Sequence, residues 1–328
     1  MEDCKLSIII PAFNVESYLE RCILSCEMQD IPKESYEVII IDDGSSDSTL
    51  QVAQLLEAKY SNIRVYSQNN QGQSVARNLG INKALGEYIW FVDSDDYIES
   101  NCLSKIIGLL EIHQLEILSF LMNVFSKDGS FSVSQPERFE FNRVYDGEYL
   151  VLNGVLEGSV CSRIFKRTFI KSKDLSFFPH IIHEDSEFTI RAFSLVRRMM
   201  FIAEAYYYYY YNAESSTRCQ SYEKVKKAHL SDAKVAYNIQ LFAQTHEEFS
   251  DQLRQCLIQK SRSILIGRFI SYLTLKSEFK RQIINDFIAT CKSLGVYPLS
   301  KNKQNLKNTL IISIINIEKL YRWIVNLK

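Results

Sequence analysis

Net charge is nearly absent from this 328-residue sequence: 38 Lys and Arg against 39 Asp and Glu leave −1. No global field therefore draws the chain to nucleic acid, and such a role would need a local patch. Paired cysteine spacing is missing as well. The eight cysteines, at 4, 22, 26, 102, 161, 219, 256 and 291, include no CxxC, and no second His or Cys stands at ligand spacing from His183. That favours reduced core thiols over a disulfide framework or a zinc site. Neither GxGxxG nor GxxxxGK(S/T) occurs, which argues against a dinucleotide-binding dehydrogenase and a P-loop ATPase. Met1-Glu2-Asp3-Cys4-Lys5 is acidic and runs directly into Leu6–Ile10, without the basic and apolar regions of a secretory signal. The expectation is a cytoplasmic protein.

What is present is an ordinary globular composition, 46% hydrophobic and 23% charged, long enough for one large domain with an appendage or for two. Residues 6–93 alternate strand-like and helix-like segments: Leu6–Ile10 then Val15–Met28, Glu37–Ile41 then Asp47–Tyr60, Ile63–Ser67 then Ser74–Leu85, and finally Glu87–Asp93. Continuous apolar runs such as Ile8-Ile9-Ile10 and Val38–Ile41 suit strands buried on both faces of a parallel sheet. Each strand is followed by a polar cluster, and in an open α/β sheet these clusters gather at the carboxyl edge, where ligands bind. A helix is expected over Asn101–Glu111, a strand over Glu116–Phe125, a turn at Lys127-Asp128-Gly129, antiparallel strands within 130–160, a helix over Asp185–Arg198 and an aromatic strand over 201–211. From Tyr222 onward only helical patterns appear, so a domain boundary is set near residue 218, with 1–218 catalytic and 219–328 helical.

Four clusters carry candidate chemistry. Asp93-Ser94-Asp95 ends the apolar Tyr88–Val92, and the strand period would aim both carboxylates to one side, where Mg²⁺ or Mn²⁺ could share them with a substrate diphosphate; the same acids also suit a turn or a helix start. Asp42 and Asp43 follow the second strand, where a carboxylate can accept bonds from ribose hydroxyls or a base N–H, while Asp47 fits a helix cap. Gln71–Asn78 enters a helix, with Arg77 a fixed cation about one turn in. Glu184 and Asp185 open a later helix; a carboxylate there suits a general base, or simply the helix dipole.

Ile9-Ile10-Pro11-Ala12-Phe13-Asn14, Ile41-Asp42-Asp43-Gly44-Ser45, Gly72–Asn78 and Phe91-Val92-Asp93-Ser94-Asp95-Asp96 stand in that order. The ordered set resembles family 2 inverting glycosyltransferases with the glycosyltransferase-A fold, closely over about residues 5–125 and more loosely to about 218. The resemblance implies a mainly parallel α/β sheet followed by a helical region. It implies that Pro11, Phe13 and Asn14 line a base pocket bordered by Arg77, that Asp42 and Asp43 hold the nucleotide, that Asp93 faces ribose or metal, that Asp95 binds Mg²⁺ or Mn²⁺, and that Asp185 is the base. Partners would be a nucleotide-sugar donor, expected to be UDP-linked, and a glycan or polyprenyl-diphosphate-linked saccharide acceptor, in surface polysaccharide assembly. Cys161–Arg167 resembles a segment that precedes the base. Two positions depart from the pattern: Arg163, where lysine is common, and Asn212, where arginine often ends the aromatic strand, so that either Ser215, Ser216, Thr217 or Arg218 takes an anionic group or that contact is absent.

The alternatives are a nucleotidyltransferase, which would want a glycine-rich basic loop where Pro11–Asn14 stands, and a non-catalytic sugar-nucleotide-binding protein, against which Asp95 and Asp185 argue. From residue 290 onward seven lysines and arginines face only Glu318. Thr309–Leu327 carries a narrow polar stripe, a pattern that fits either a helix packed on its own domain or one lying on an anionic membrane surface.

Overall fold

The computed structural model describes residues 4–125, 131–133, 139–155, 158–210, 222–273, 275, 280–299 and 306–326. In chain order these form β1 (Leu6–Ala12), α1 (Leu19–Glu27), β2 (Tyr36–Asp42), α2 (Thr49–Lys59), β3 (Ile63–Ser67), α3 (Gln73–Lys83), β4 (Tyr88–Phe91), β5 (Tyr97–Ile98), α4 (Leu103–Ile112), β6 (Ile117–Phe125), β7 (Phe131–Val133), β8 (Val144–Tyr145), α5 (Gly147–Leu152), β9 (Arg163–Lys166), α6 (Arg167–Ser172), α7 (Glu184–Leu195) and β10 (Met199–Tyr209). Five helices follow: α8 (Tyr222–Thr245), α9 (Asp251–Ser271), α10 (Lys280–Ser293), α11 (Leu306–Asn316) and α12 (Glu318–Asn326).

The chain divides into two compact units, residues 1–180 with 188–215, and 181–187 with 216–328. In the first, one sheet runs β3-β2-β1-β4-β9-β6-β10-β5, with β7 beside β6 and β8 beside β10. β3, β2, β1 and β4 are mutually parallel. Every residue of β1 and β2 is buried, as their unbroken apolar runs require of inner strands. β9 is antiparallel to both β4 and β6, which makes the sheet mixed. It also lets β6 and β10 continue as a second parallel pair.

α1 begins four residues later than the apolar spacing predicts. Val15 and Glu16 instead donate their N–H groups to Thr49 Oγ1 (2.8 Å) and Asp47 Oδ2 (3.2 Å), so the α1 entry is tied to the loop before α2. Gly86 turns the chain from α3 into β4, where a Cβ would stand 2.5 Å from the Ser7 backbone nitrogen.

The second unit is helical and has its own core, with Leu265, Phe269, Tyr272, Phe287 and Tyr321 among its members. The tail, expected as one helix, breaks at Ile317 into α11 and α12. Ile312, Ile315 and Tyr321 are buried in this core, and the Tyr321 hydroxyl donates to Phe269 O at 2.7 Å. Packing within its own unit is thus realised, while Ile317 and Trp323 stay exposed. Among the described residues no helix is long and apolar enough to cross a membrane. The seven described cysteines are free and all but Cys256 are buried. The expected turn at Lys127–Gly129, the boundary at 218, and Asn212, Ser215, Ser216, Thr217 and Arg218 lie outside the described residues.

Candidate active site

The ends of β1, β2, β3 and β4 bring the first three clusters to one rim. At the end of β2, the buried Asp42 accepts from Ser67 Oγ (3.0 Å) and from the Ser45 N–H (3.3 Å). Asp43, also buried, accepts from Gln68 Nε2 (2.7 Å) and from the N–H groups of Gln71 (2.9 Å) and Gly72 (2.8 Å). The donors at the mouth of α3, which the sequence offers to an anion, are thus partly taken by Asp43. Gly44 holds φ +73°, and a Cβ there would stand 2.8 Å from Asn70 N, so glycine is what lets the β2 and β3 loops approach. Asp47 accepts from the N–H groups of Thr49 (2.9 Å) and Glu16 (3.2 Å). Desolvation pushes its carboxyl up, but the Thr49 and Glu16 bonds outweigh this and hold it below the usual carboxylate range. Asp47, expected as the N-cap of α2, stands one residue before it: the N-cap is Ser48, which makes no side-chain cap bond, and Asp47 instead ties the loop to Glu16 and Thr49.

At the end of β1, Pro11 is buried beside Ile41, and Phe13 is 45% exposed. Asn14 adopts a left-handed φ of 53°. Its N–H donates to Ser45 Oγ (3.0 Å) and its side-chain oxygen accepts from the Ser46 N–H (2.8 Å).

Asp93–Asp96 differs from the sequence expectation. β4 ends at Phe91, and the four residues close into a turn through Asp96 N–H to Asp93 O (3.0 Å). The two-residue strand period therefore does not orient Asp93 and Asp95. Asp93 Oδ1 accepts from Arg77 Nη2 (2.8 Å) and Gln73 Nε2 (2.8 Å). Arg77 is 1% exposed, with its guanidinium 5.2 Å from the Phe177 ring centroid, and Asn78 fastens Phe177 by two bonds of 2.8 Å. The buried cation is thus aimed at the acidic turn. Arg21 reaches the turn from α1, donating to Asp95 O (2.5 Å), and lies over the rings of Tyr97 and Tyr210.

Sequence reading missed the support behind this turn. Asp96 is 1% exposed and accepts from the Tyr207 hydroxyl (2.6 Å) and the Tyr210 N–H (2.7 Å). The Tyr207 hydroxyl in turn accepts the Asp93 N–H (3.1 Å). Burial, then the charges of Asp93 and Asp95, hold the Asp96 carboxyl well above its usual range. The only signal in the sequence was a third acid after Asp93-Ser94-Asp95 and a tyrosine-rich strand far along the chain.

Asp185 lies in the first turn of α7 with Glu184 and Glu187, where negative charge is favourable. The segment that carries it, 181–187, belongs to the second unit. Arg163 opens β9, buried, with its guanidinium 4.9 Å from the Phe193 ring centroid and Nη1 bonded to Ser162 Oγ.

The oxygen-only donor set of Asp93 and Asp95 fits Mg²⁺ or Mn²⁺. Among the described residues no group of three or more His, Cys, Asp or Glu could hold a metal, so a substrate diphosphate would have to complete the shell.

The model of Glycosyl transferase family 2 matches residues 7–172. A poly(ribitol-phosphate) beta-glucosyltransferase of Bacillus spizizenii is 32% identical over 61% of this chain and 31% of its own length. Poly(ribitol-phosphate) beta-N-acetylglucosaminyltransferase TarS of Staphylococcus aureus is 28% identical over 87% of this chain and 49% of its own. The chain thus spans about a third and about half of these two relatives. The crystal structure of S. aureus TarS 1–349 with UDP-GlcNAc superposes with a TM-score of 0.67 at 23% identity, covering 97% of this chain and 89% of that one. A mannosyltransferase of Pyrobaculum calidifontis in complex with GDP-Man and Mn²⁺ superposes at 0.52 and 14% identity, covering 99% and 86%. With the acidic turn, the Asp42-Asp43 rim and a family match over half its length, this chain belongs to glycosyltransferase family 2 and has the glycosyltransferase-A fold.

Proposed function

We propose that the chain is an inverting, metal-dependent glycosyltransferase that moves a sugar from a UDP-linked donor to a hydroxyl of a glycan or lipid-linked saccharide. The observation that carries this is the acidic turn on the sheet rim, with Arg77 and Gln73 both directed onto Asp93. The UDP-GlcNAc complex of the structurally similar TarS favours a UDP-linked donor. In this reading Pro11, Phe13 and Asn14 receive the base, and Asp42 and Asp43 shape the nucleotide pocket. Arg77 fixes Asp93 at its border. Asp93 and Asp95 would hold Mg²⁺ or Mn²⁺, which would supply positive charge to the departing diphosphate oxygens.

Asp185 takes the proton of the acceptor hydroxyl. The acceptor oxygen bonds to the anomeric carbon on the face opposite the diphosphate, and the C–O bond to the diphosphate breaks with its electron pair leaving on UDP. The configuration is inverted. Base catalysis of this kind typically contributes about 10²–10⁴-fold in rate, and Asp185→Asn is expected to lose turnover on that scale. UDP release from UDP-glucose and UDP-N-acetylglucosamine with Mn²⁺ or Mg²⁺ measures it. Full activity in a folded Asp185→Asn chain would remove the base assignment, and metal-independent release, or none with any donor, would remove the reading as a whole.

The same reading puts the chain at the inner face of the cell membrane. α12 exposes Trp323 (61%), with Ile317 and Lys319 exposed beside it, the chemistry of an interfacial contact. Flotation with anionic liposomes should fall on Trp323→Ser; unchanged flotation would remove the membrane contact.

A further inference from the structure

The segment that carries Asp185 is gripped from within the helical unit. The Ile182 N–H donates to Ser231 Oγ at 2.9 Å, while the Ser231 hydroxyl proton goes to Lys227 O at 2.7 Å. Ser231 therefore meets Ile182 as an acceptor, its single donor already directed along α8. The next residue of α8, Asp232, has Oδ2 held by Arg268 Nε of α9 at 2.6 Å and by Arg268 Nη2. Its Oδ1 stands 3.9 Å from His183 Nε2. Ser231 and Asp232 are 2% and 9% exposed, while the His183 side chain is half-exposed.

His183 itself has a left-handed φ of 70°, and a non-glycine residue keeps that conformation where its surroundings over-determine it. From there the chain turns into α7, closing Glu187 N–H on His183 O at 3.2 Å. Asp185 lies two residues past the held position. A buried carboxylate–guanidinium pair is weak evidence for stability, because desolvation offsets most of the attraction. Orientation is what Asp232 and Arg268 can supply here.

We infer that Ser231, Asp232 and Arg268 are positioning residues for the general base: Ser231 by holding Ile182, and Asp232, set by Arg268, by standing against His183, so that together they set the direction in which the first turn of α7 presents Asp185. This rests on the base assignment proposed above. A misplacement of about 1 Å at a reacting group costs on the order of 10²-fold in rate, so the effect belongs to turnover and not to donor affinity.

The test uses the full chain with UDP-glucose and UDP-N-acetylglucosamine, in Asp232→Asn, Asp232→Glu and Ser231→Ala. Turnover at saturating donor, UDP affinity by calorimetry and thermal midpoint are measured for each. Asp232→Asn is expected to lower turnover at least about tenfold while UDP affinity stays near that of the unmutated chain; the midpoint falls, because Arg268 loses the carboxylate it is bonded to, and Asp232→Glu recovers part of both losses. In an Asp185→Asn background, Asp232→Asn should change turnover no further, because it acts through Asp185. Full turnover in a folded Asp232→Asn chain, or turnover and UDP affinity falling together, would overturn the inference. If Asp232→Asn fails to fold, Ser231→Ala decides by the same criteria. An active Asp185→Asn chain would instead overturn the base assignment, whereas an inactive Asp185→Asn beside a fully active Asp232→Asn would overturn positioning alone.

Discussion

Removing one oxygen from Tyr207 would disturb two acids at once. Its hydroxyl accepts the Asp93 N–H and donates to Asp96, so Tyr207→Phe leaves a buried carboxyl short of a donor and a backbone N–H short of an acceptor. Each loss of that kind costs about 1–3 kcal/mol, and urea unfolding should show a lowered midpoint with an unchanged slope. UDP release should fall as well, since the turn carrying Asp93 and Asp95 loses its backing. A Tyr207→Phe chain with unaltered stability would show that Tyr210 N–H alone suffices for Asp96. Asp43 presents the simpler case. Asp43→Ala leaves the Gln71 and Gly72 N–H groups without their carboxylate, and both thermal midpoint and UDP affinity are expected to drop.

The elements of the parallel half were legible because their signals are local. Ile8–Ile10 and Val38–Ile41 are apolar without interruption and became β1 and β2, and the polar clusters after them fell on one rim. β5 and β9 were not legible, having two and four residues and owing their existence to partners far away in the chain, β10 for β5 and the earlier β4 and β6 for β9. The acidic turn was recognised by its residues but misjudged in its backbone, because the sequence does not show that β4 stops at Phe91 and that Asp96 N–H folds back on Asp93 O. At this scale Gly86 gives a sharp test. A Cβ there meets Ser7 N at 2.5 Å and Leu6 C at 2.6 Å, backbone atoms that cannot rotate away. Gly86→Ala is expected to cost about 1–3 kcal/mol, read as a lower denaturant midpoint.

The whole molecule carries a pH dependence that originates in the helical unit. Burial first, and then the nearby Arg268 charge, lower His229 from 6.5 to about 4. Its folded value lies below its unfolded one, so the unfolded chain binds the proton first. Stability is complete above pH about 6.5 and is lost progressively as pH falls toward about 4. Thermal midpoints measured across that window should decline less steeply in His229→Leu, and equal slopes would remove His229 from the account. The helix start that carries Asp185 was legible in the sequence, yet nothing in the local pattern indicated that residues 181–187 pack with helices that begin some forty residues later. Only long-range contacts carry that information.

That discontinuity bears on how the protein can be recombined. A chimera joined at a single point between β10 and α8 would take the helices from one parent and leave Ile182 and His183 with the other, separating the segment from Ser231 and Asp232. Exchanging helical regions between relatives therefore requires two grafts, 181–187 together with 216–328, for the donated helices to arrive with the segment they evolved to hold.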